Sequence, residues 1–181
     1  MIEIKPLSQL QTTTLIVLRI LLGWQILFEG TSKLLDPSWS SYGFLSESKW
    51  ILSGFAHWVI SNKSILNCVD FLNTWGLIAI GLGLVLGVFS RIAAISGAIL
   101  LFMYYLNNPP LIGLEYSIPS EGNYLIVNKT LIESAALVLI AVFSSHLDFG
   151  LESLFTNLKT KTKIRRGKHI HNDSIENKVT G

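Results

Sequence analysis

The sequence predicts an all-α integral membrane protein built as a four-helix bundle. Half of its 181 residues are hydrophobic and only 14% are charged, whereas a soluble domain carries ~25% charged residues. The apolar residues form blocks that approach the ~20 residues needed to cross ~30 Å of hydrocarbon. Short polar connections separate these blocks. We therefore expect one membrane domain over residues 1–150, in contact with the lipid bilayer, and no separate soluble catalytic domain.

Four apolar blocks define the predicted spans, which cover residues 13–31, 71–89, 92–106 and 125–143. Between the first two, residues 36–70 are polar but rich in aromatic side chains, which favour the headgroup level. They predict an extracytoplasmic loop or short interfacial helices. Only Ser90 and Arg91 separate the second span from the third, which predicts a tight hairpin. Residues 107–124 contain several Pro and Gly and predict a turn-rich loop.

The orientation follows from a basic tail after the last apolar block. Residues 159–168 carry six Lys and Arg, which the positive-inside rule places in the cytoplasm. With four spans the N-terminus is cytoplasmic as well, in a multi-pass protein of the cell inner membrane. Residues 151–181 are predicted to be disordered and attracted to anionic lipids rather than to nucleic acid.

Small residues predict where the spans pack. Gly76, Gly83 and Gly87 share one face of the second span, and small residues let helices approach closely in lipid. The third span offers a matching surface at Ala93, Ala94, Gly97 and Ala98. A seam inside one bundle is the first interpretation, and a seam in a homo-oligomer is the alternative.

Charged side chains in or near the spans carry the functional information. They are Arg19, Glu29, Lys33, Arg91, Lys129 and Glu133. A charge at mid-bilayer costs at least ~2.5–3.5 kcal/mol, so each needs a partner, water or a role. Arg91 lies at the cytoplasmic end of its span, where it can extend to the interface.

The face of the first span that holds Arg19 and Lys33 also holds Gly23 and Gly30. This face is expected to point into the bundle, where the glycines let a neighbouring helix or a ligand come near. Arg19 is accordingly a candidate substrate-binding residue.

On the fourth span, Lys129 and Glu133 are four residues apart and can pair, and Asn128 adds a neutral donor and acceptor. These three residues are level with Glu29 and Lys33, so they can form one polar pocket that opens outward. Either the charges only neutralise one another, or the cations and Asn128 hold a small anion or a quinone head group. In the second case Glu29 or Glu133 accepts protons. Both interpretations stay open.

Several classes of site are disfavoured. The single Cys68 excludes an intrachain disulfide and dithiol chemistry. His57 and His146 lie at opposite ends of the predicted bundle, so we expect no haem, and we expect no metal site. No phosphate-binding loop or metalloprotease motif occurs in the sequence.

The sequence resembles the DoxX superfamily of membrane proteins. The pattern Arg19-x3-Gly23-x4-Phe28-x-Gly30-x2-Lys33 resembles the first-span signature of that superfamily, and residues 81–94, including Arg91, resemble its second-to-third hairpin. Asp70-x2-Asn73-x-Trp75-Gly76, Tyr104-Tyr105 and Pro109-Pro110 are closer to the DoxD branch.

The resemblance implies the small subunit of a thiosulfate:quinone oxidoreductase, with quinone as co-substrate and a second oxidoreductase subunit as partner. Arg19, Gly23, Gly30, Lys33 and Arg91 are the family-signature positions. A small-anion transporter and a non-catalytic membrane scaffold for a redox partner are the alternative functions.

Overall fold

The computed structural model describes residues 7–111, 113, 116 and 125–144, and no β-strand occurs in these ranges. The helices are α1 (Gln9–Leu35), α2 (Tyr42–Ser46), α3 (Ser53–Ser61), α4 (Lys63–Leu86), α5 (Ser90–Asn107) and α6 (Lys129–Phe143). The all-α prediction is confirmed for this part of the chain. The predicted tail over residues 151–181 and His146 lie outside it.

In the part of the chain that the structure describes, three helices are long and apolar enough to cross a membrane: α1 with 27 residues, α4 with 24 and α5 with 18. A multi-pass membrane protein is therefore supported. The helix at the fourth predicted span, α6, has 15 residues, which at 1.5 Å per residue cover ~23 Å. It is shorter than predicted because Leu125 has a left-handed φ of 65° and the helix begins only after Asn128.

Polar caps lengthen α1 and α4 beyond their apolar blocks. Ser8 and Gln11 form a capping box, in which Gln11 N donates to Ser8 Oγ over 3.3 Å and Ser8 N donates to Gln11 Oε1 over 2.9 Å. The Asn62 side chain accepts from Ser64 N over 3.1 Å and so starts α4 at Lys63. The predicted connection up to residue 70 is therefore too long. The part of this connection before α4 contains two short helices, α2 and α3. Short helices were one of the two alternatives that the sequence predicted for it.

The closest helix contact lies between α1 and α4, which run antiparallel. A Cβ on Gly81 would lie 2.6 Å from Leu27 N, and one on Gly30 would lie 2.9 Å from Ile78 N. A Cβ on Gly23 would lie 2.8 Å from Leu84 Cβ. Because these glycines have no side chain, the two backbones approach closely and gain dispersion contacts.

The α4–α5 hairpin is confirmed, but its turn lies at residues 87–89. Gly87 ends α4 with φ 68° and Phe89 precedes α5 with φ 50°. Ser90 and Arg91 belong to α5. The prediction that the glycines of α4 form a packing face is only partly correct. A Cβ on Gly83 would lie 3.0 Å from Ala93 Cβ of α5, so Gly83 packs there, whereas a Cβ on Gly76 would meet nothing within 4 Å.

Helix α5 packs against α4 on one side and against α6 on the other. A Cβ on Gly97 would lie 3.0 Å from Leu137 and 3.1 Å from Ile80, and Ser134 Oγ donates to the Ala98 carbonyl over 2.9 Å. The buried core joins α1, α4, α5 and α6 through Leu22, Ile26, Leu77, Ile80, Leu84, Ala93, Ala94, Ala98, Leu101, Leu137, Ile140 and Ala141.

Candidate functional site

Lys33, near the end of α1, is the centre of a group of polar side chains. Its Nζ lies 2.7 Å from Glu29 Oε1 and 3.5 Å from the Tyr104 hydroxyl. It also lies over two aromatic rings, 4.9 Å from the Trp39 centroid and 5.3 Å from that of Tyr104. The Lys33 side chain is only 13% exposed. The cation is therefore held by one carboxylate and by the faces of two aromatic rings, which attract it electrostatically.

Tyr104 joins Lys33 to α4. Its hydroxyl donates to Asn73 Oδ1 while it accepts from Lys33. Its ring packs on Phe44 in a T-shaped arrangement, with centroids 5.4 Å apart and an interplanar angle of 62°. Helices α1, α4 and α5 thus meet at one hydrogen-bonded chain, Lys33–Tyr104–Asn73.

A second polar link lies further along α1, away from its end. Gln25 Nε2 donates to Glu133 Oε1 of α6 over 2.5 Å. This hydrogen bond joins α1 directly to α6. We call Gln25, Glu29, Lys33, Asn73, Tyr104 and Glu133 the polar cluster.

The connection after α1 covers the polar cluster because Asp70 holds it there. The Asp70 carboxylate accepts from Ser40 Oγ over 2.8 Å and from Ser41 N over 2.9 Å, and the Ser41 hydroxyl also donates to it. Residues 39–48 are thereby fixed over the helix ends. Their Trp39 and Phe44 form the aromatic cover of Lys33 and Tyr104.

The same segment is also fastened to the end of α5. The Ser48 hydroxyl donates to the Asn107 carbonyl over 3.3 Å, and Asn107 Nδ2 donates to the Phe44 carbonyl over 3.1 Å. Asn107 is 3% exposed, so these bonds lie where water does not compete with them.

Asp36 lies just beyond α1 and outside the candidate spans. Ser38 donates to its carboxylate from the side chain, over 2.6 Å, and from the backbone, over 2.9 Å. These two hydrogen bonds to the ionised form hold the pKa of Asp36 below its usual value. The turn after α1 is thus fixed by an ionised carboxylate.

Arg19 is separated from the polar cluster. It is 3% exposed, and its Nη1 donates to Ser90 Oγ over 3.4 Å at the start of α5. Along α1, Arg19 lies about 21 Å from Lys33 at 1.5 Å per residue. The two cations share a helix face, as predicted, but they belong to opposite ends of the bundle.

Helix α4 occupies the space beside Gly23 and Gly30, the predicted signature glycines. A Cβ on Gly30 would lie 2.9 Å from Leu77 Cβ, and one on Gly23 would lie 3.0 Å from Val85 N. Of the two alternatives that the sequence allowed, a neighbouring helix therefore occupies this face at both positions.

The remaining predicted residues lie at helix starts. Asn128 caps α6, its Oδ1 accepting from Leu131 N over 2.9 Å. Lys129 is the exposed first residue of α6, and Arg91 is the exposed second residue of α5. The pairing of Lys129 with Glu133 and the substrate-binding role of Asn128 stay predictions.

Tyr104, Asn73, Gln25 and Trp39 belong to the site although the sequence had not assigned them a binding role. A signal was available for two of them, because Asn73 and Gln25 are amide side chains in apolar helices, where unpaired polar groups are costly. Trp39 gave no such signal, since its position depends on the Asp70 contacts.

Chemically, the polar cluster offers a cation, a phenol hydroxyl, two amides and two carboxylates. Within the described ranges, no three His, Cys, Asp or Glu side chains gather to hold a metal ion. Together these groups can donate and accept hydrogen bonds.

No protein-family model, curated protein or solved structure matches the chain. The likeness to the DoxX superfamily therefore stays a hypothesis that depends on the quoted residues.

Proposed function

We propose that this chain is the membrane subunit of a quinone-linked oxidoreductase that acts on a small reduced sulfur compound such as thiosulfate. In this proposal it crosses the cytoplasmic membrane four times. The long helices alternate in direction, which supports placing both termini on the side of the α4–α5 turn. Arg91 and the basic tail support assigning that side to the cytoplasm, with the polar cluster facing outward.

The observation that carries the proposal is the environment of Lys33. A quinone head group is a flat ring with two carbonyl oxygens, and it gains negative charge on reduction. Trp39 and Tyr104 supply aromatic rings at this place, and Lys33 supplies N–H donors. A fixed cation that faces developing negative charge is the arrangement that stabilises such a state.

Proton movement has candidates in the same cluster. Reduction of one quinone to quinol takes up two electrons and two protons, and two thiosulfate ions joined into one tetrathionate release two electrons. Glu29, 2.7 Å from Lys33, and Glu133, bonded to Gln25, are the carboxylates that pass protons in this proposal. A second oxidoreductase subunit, which the likeness to the DoxD branch implies, is part of the proposal.

The test uses the purified protein with any subunit that copurifies, given thiosulfate and a water-soluble quinone analogue. We expect quinol formation by the unchanged protein and strong loss in Lys33→Gln and in the Lys129→Gln/Glu133→Gln double variant. Lys63→Gln, at the exposed first residue of α4, is the matched control. Quinol formation no faster than with Lys33→Gln would contradict the enzymatic proposal.

A scaffold without catalysis is the second candidate, because several predicted site residues make structural contacts. Gly23 and Gly30 are filled by α4, Asn128 caps α6, and Glu29 neutralises Lys33. On this account the Lys33→Gln variant loses stability or binding of its partner subunit, and neither form of the protein binds quinone.

A further inference from the structure

Lys33 is closely surrounded by its neighbours. Its ammonium group lies 2.7 Å from the Glu29 carboxylate and 3.5 Å from the Tyr104 hydroxyl. The centre of the Trp39 ring lies 4.9 Å from the same nitrogen, and the Lys33 side chain is only 13% exposed. A flat ring that is to lie against this ammonium group therefore needs one of the three neighbours to move.

The three neighbours differ in how firmly they are held. Glu29 lies on α1 and Tyr104 on α5, and both helices contribute side chains to the buried apolar core. Trp39 lies instead on the connection between α1 and α2, at the start of residues 39–48, which we call the cover segment. Trp39 is therefore the neighbour that can move without disturbing the core.

The cover segment is attached mainly through polar groups. Its only buried residues are Ser41 and Ser48, each 3% exposed. Ser41 donates to the Asp70 carboxylate, and Ser48 donates to the Asn107 carbonyl. None of the apolar side chains of this segment is fully buried, and a segment with few buried apolar contacts opens at a lower free energy than the core. The cover segment can therefore separate from the helix ends while the bundle stays folded.

Two turns with their own hydrogen bonds flank the cover segment. Before it, the Asp36 carboxylate accepts two hydrogen bonds from Ser38. After it, Ser53 N donates to the Trp50 carbonyl over 3.0 Å at the start of α3. Neither turn depends on the contacts that hold the segment over the polar cluster, so both can stay in place as the segment moves.

We propose that the cover segment is a lid, which opens to admit a flat head group to Lys33 and closes over it, with Asp70 as its latch. In the open state the hydrogen bonds to Asp70 are broken and Trp39 moves away from the ammonium group. The head group enters between Lys33 and the Trp39 ring, while α1 and α5 stay in place. The lid rests on the proposed function for the nature of its ligand, whereas its opening is a property of this chain alone.

The test follows acylation of Lys33 by a water-soluble amine reagent in the detergent-purified full chain, measured by peptide mass spectrometry. In the unchanged protein Lys33 should react more slowly than Lys63, the exposed first residue of α4. In Asp70→Ala the rate at Lys33 should rise at least ~10-fold, the factor that ~1.4 kcal/mol of lost hydrogen bonding gives. Asp70→Asn should stay close to the unchanged protein, because its amide oxygen still accepts from Ser41 N.

Asp36→Ala is the matched control, since the Asp36 carboxylate bonds to Ser38 and not to the cover segment. Thermal unfolding of each variant shows that the fold is kept. Equal rates at Lys33 in the unchanged protein and in Asp70→Ala would overturn the lid. Equal rates at Lys33 and Lys63 in the unchanged protein would overturn it as well, because Lys33 would then be open already.

A water-soluble quinone analogue separates the lid from the proposed function. An analogue bound beneath the closed lid should slow the acylation of Lys33 and leave that of Lys63 unchanged. If Asp70→Ala accelerates the reaction at Lys33 but the analogue gives no protection, the lid stands and the proposed function fails.

Discussion

Gly81 of α4 lies against the backbone of Leu27 in α1, where a Cβ on Gly81 would be 2.6 Å from the Leu27 nitrogen. No flexible side chain can move aside at this contact, because both partners are backbone. It lies between the Gly23 and Gly30 contacts of α1 and therefore fixes how closely α1 and α4 pack. The placement of Lys33 beside Asn73 and Tyr104 depends on that packing.

Gly81→Ala should lower the stability of the protein by ~1–3 kcal/mol, the usual effect of forcing extra volume into a packed core. The measurement is thermal unfolding in detergent, followed by tryptophan fluorescence. Gly76→Ala is the matched control on the same helix: its Cβ meets nothing within 4 Å, and Ala is favoured over Gly in a helix by up to ~1 kcal/mol. Equal unfolding temperatures for the two variants would show that the α1–α4 contact is not tight.

Asp70→Ala should release residues 39–48 from the helix ends, because three hydrogen bonds to its carboxylate disappear. Hydrogen exchange of that segment should rise, and Trp39 should become accessible to a water-soluble quencher. Asp36→Ala is the control, since the Asp36 carboxylate bonds only to the neighbouring Ser38 among described residues. Unchanged exchange in Asp70→Ala would mean that other contacts hold the segment.

Asn128→Ala should destabilise α6 by ~1 kcal/mol, the usual value of a helix N-cap. Asn128→Asp should keep the stability, because a carboxylate accepts from Leu131 N equally well. Unfolding temperatures of both variants check the cap. A role in binding an anion gives a different pattern: Asn128→Asp would then lose ligand affinity while keeping stability.

Gln25→Leu should weaken the association of α1 with α6. It removes the donor to Glu133, and loss of one hydrogen bond to a charged group costs ~1.5–3 kcal/mol. Crosslinking between cysteines introduced on the two helices measures their proximity. Ile20→Leu, at an exposed position of α1, is the control. Unchanged crosslinking in Gln25→Leu would assign the α1–α6 association to packing alone.

Apolar blocks and charges in the sequence predicted the long helices and the face shared by Arg19, Gly23, Gly30 and Lys33. The first residues of α1 and α4 were harder to predict, because both helices begin before their apolar blocks. Their N-caps, Ser8 and Asn62, lie outside those blocks. The role of Gly81 was missed because glycine spacing alone does not tell which face of α4 meets α1.

The composition of the site also depends on contacts between distant residues. Lys33 was expected from its position on α1, but Trp39 reaches it from a segment that Asp70, thirty residues after Ser40, holds through the Ser40 hydroxyl. Spacing along a helix does not contain that information. Likewise, Asn128 was predicted to bind a substrate, whereas in the structure its side chain accepts a hydrogen bond from Leu131 N. That bond forms because α6 begins directly after Asn128.

The central claim is that the polar cluster around Lys33 binds a quinone head group. Its most direct test is the affinity of the purified protein for a water-soluble quinone analogue, measured by quenching of tryptophan fluorescence. Loss of the Lys33 donor in Lys33→Gln should weaken binding ~10–100-fold, the equivalent of one charged hydrogen bond of ~1.5–3 kcal/mol, while Lys63→Gln binds normally. Equal affinity in correctly folded Lys33→Gln and unchanged protein would contradict the claim.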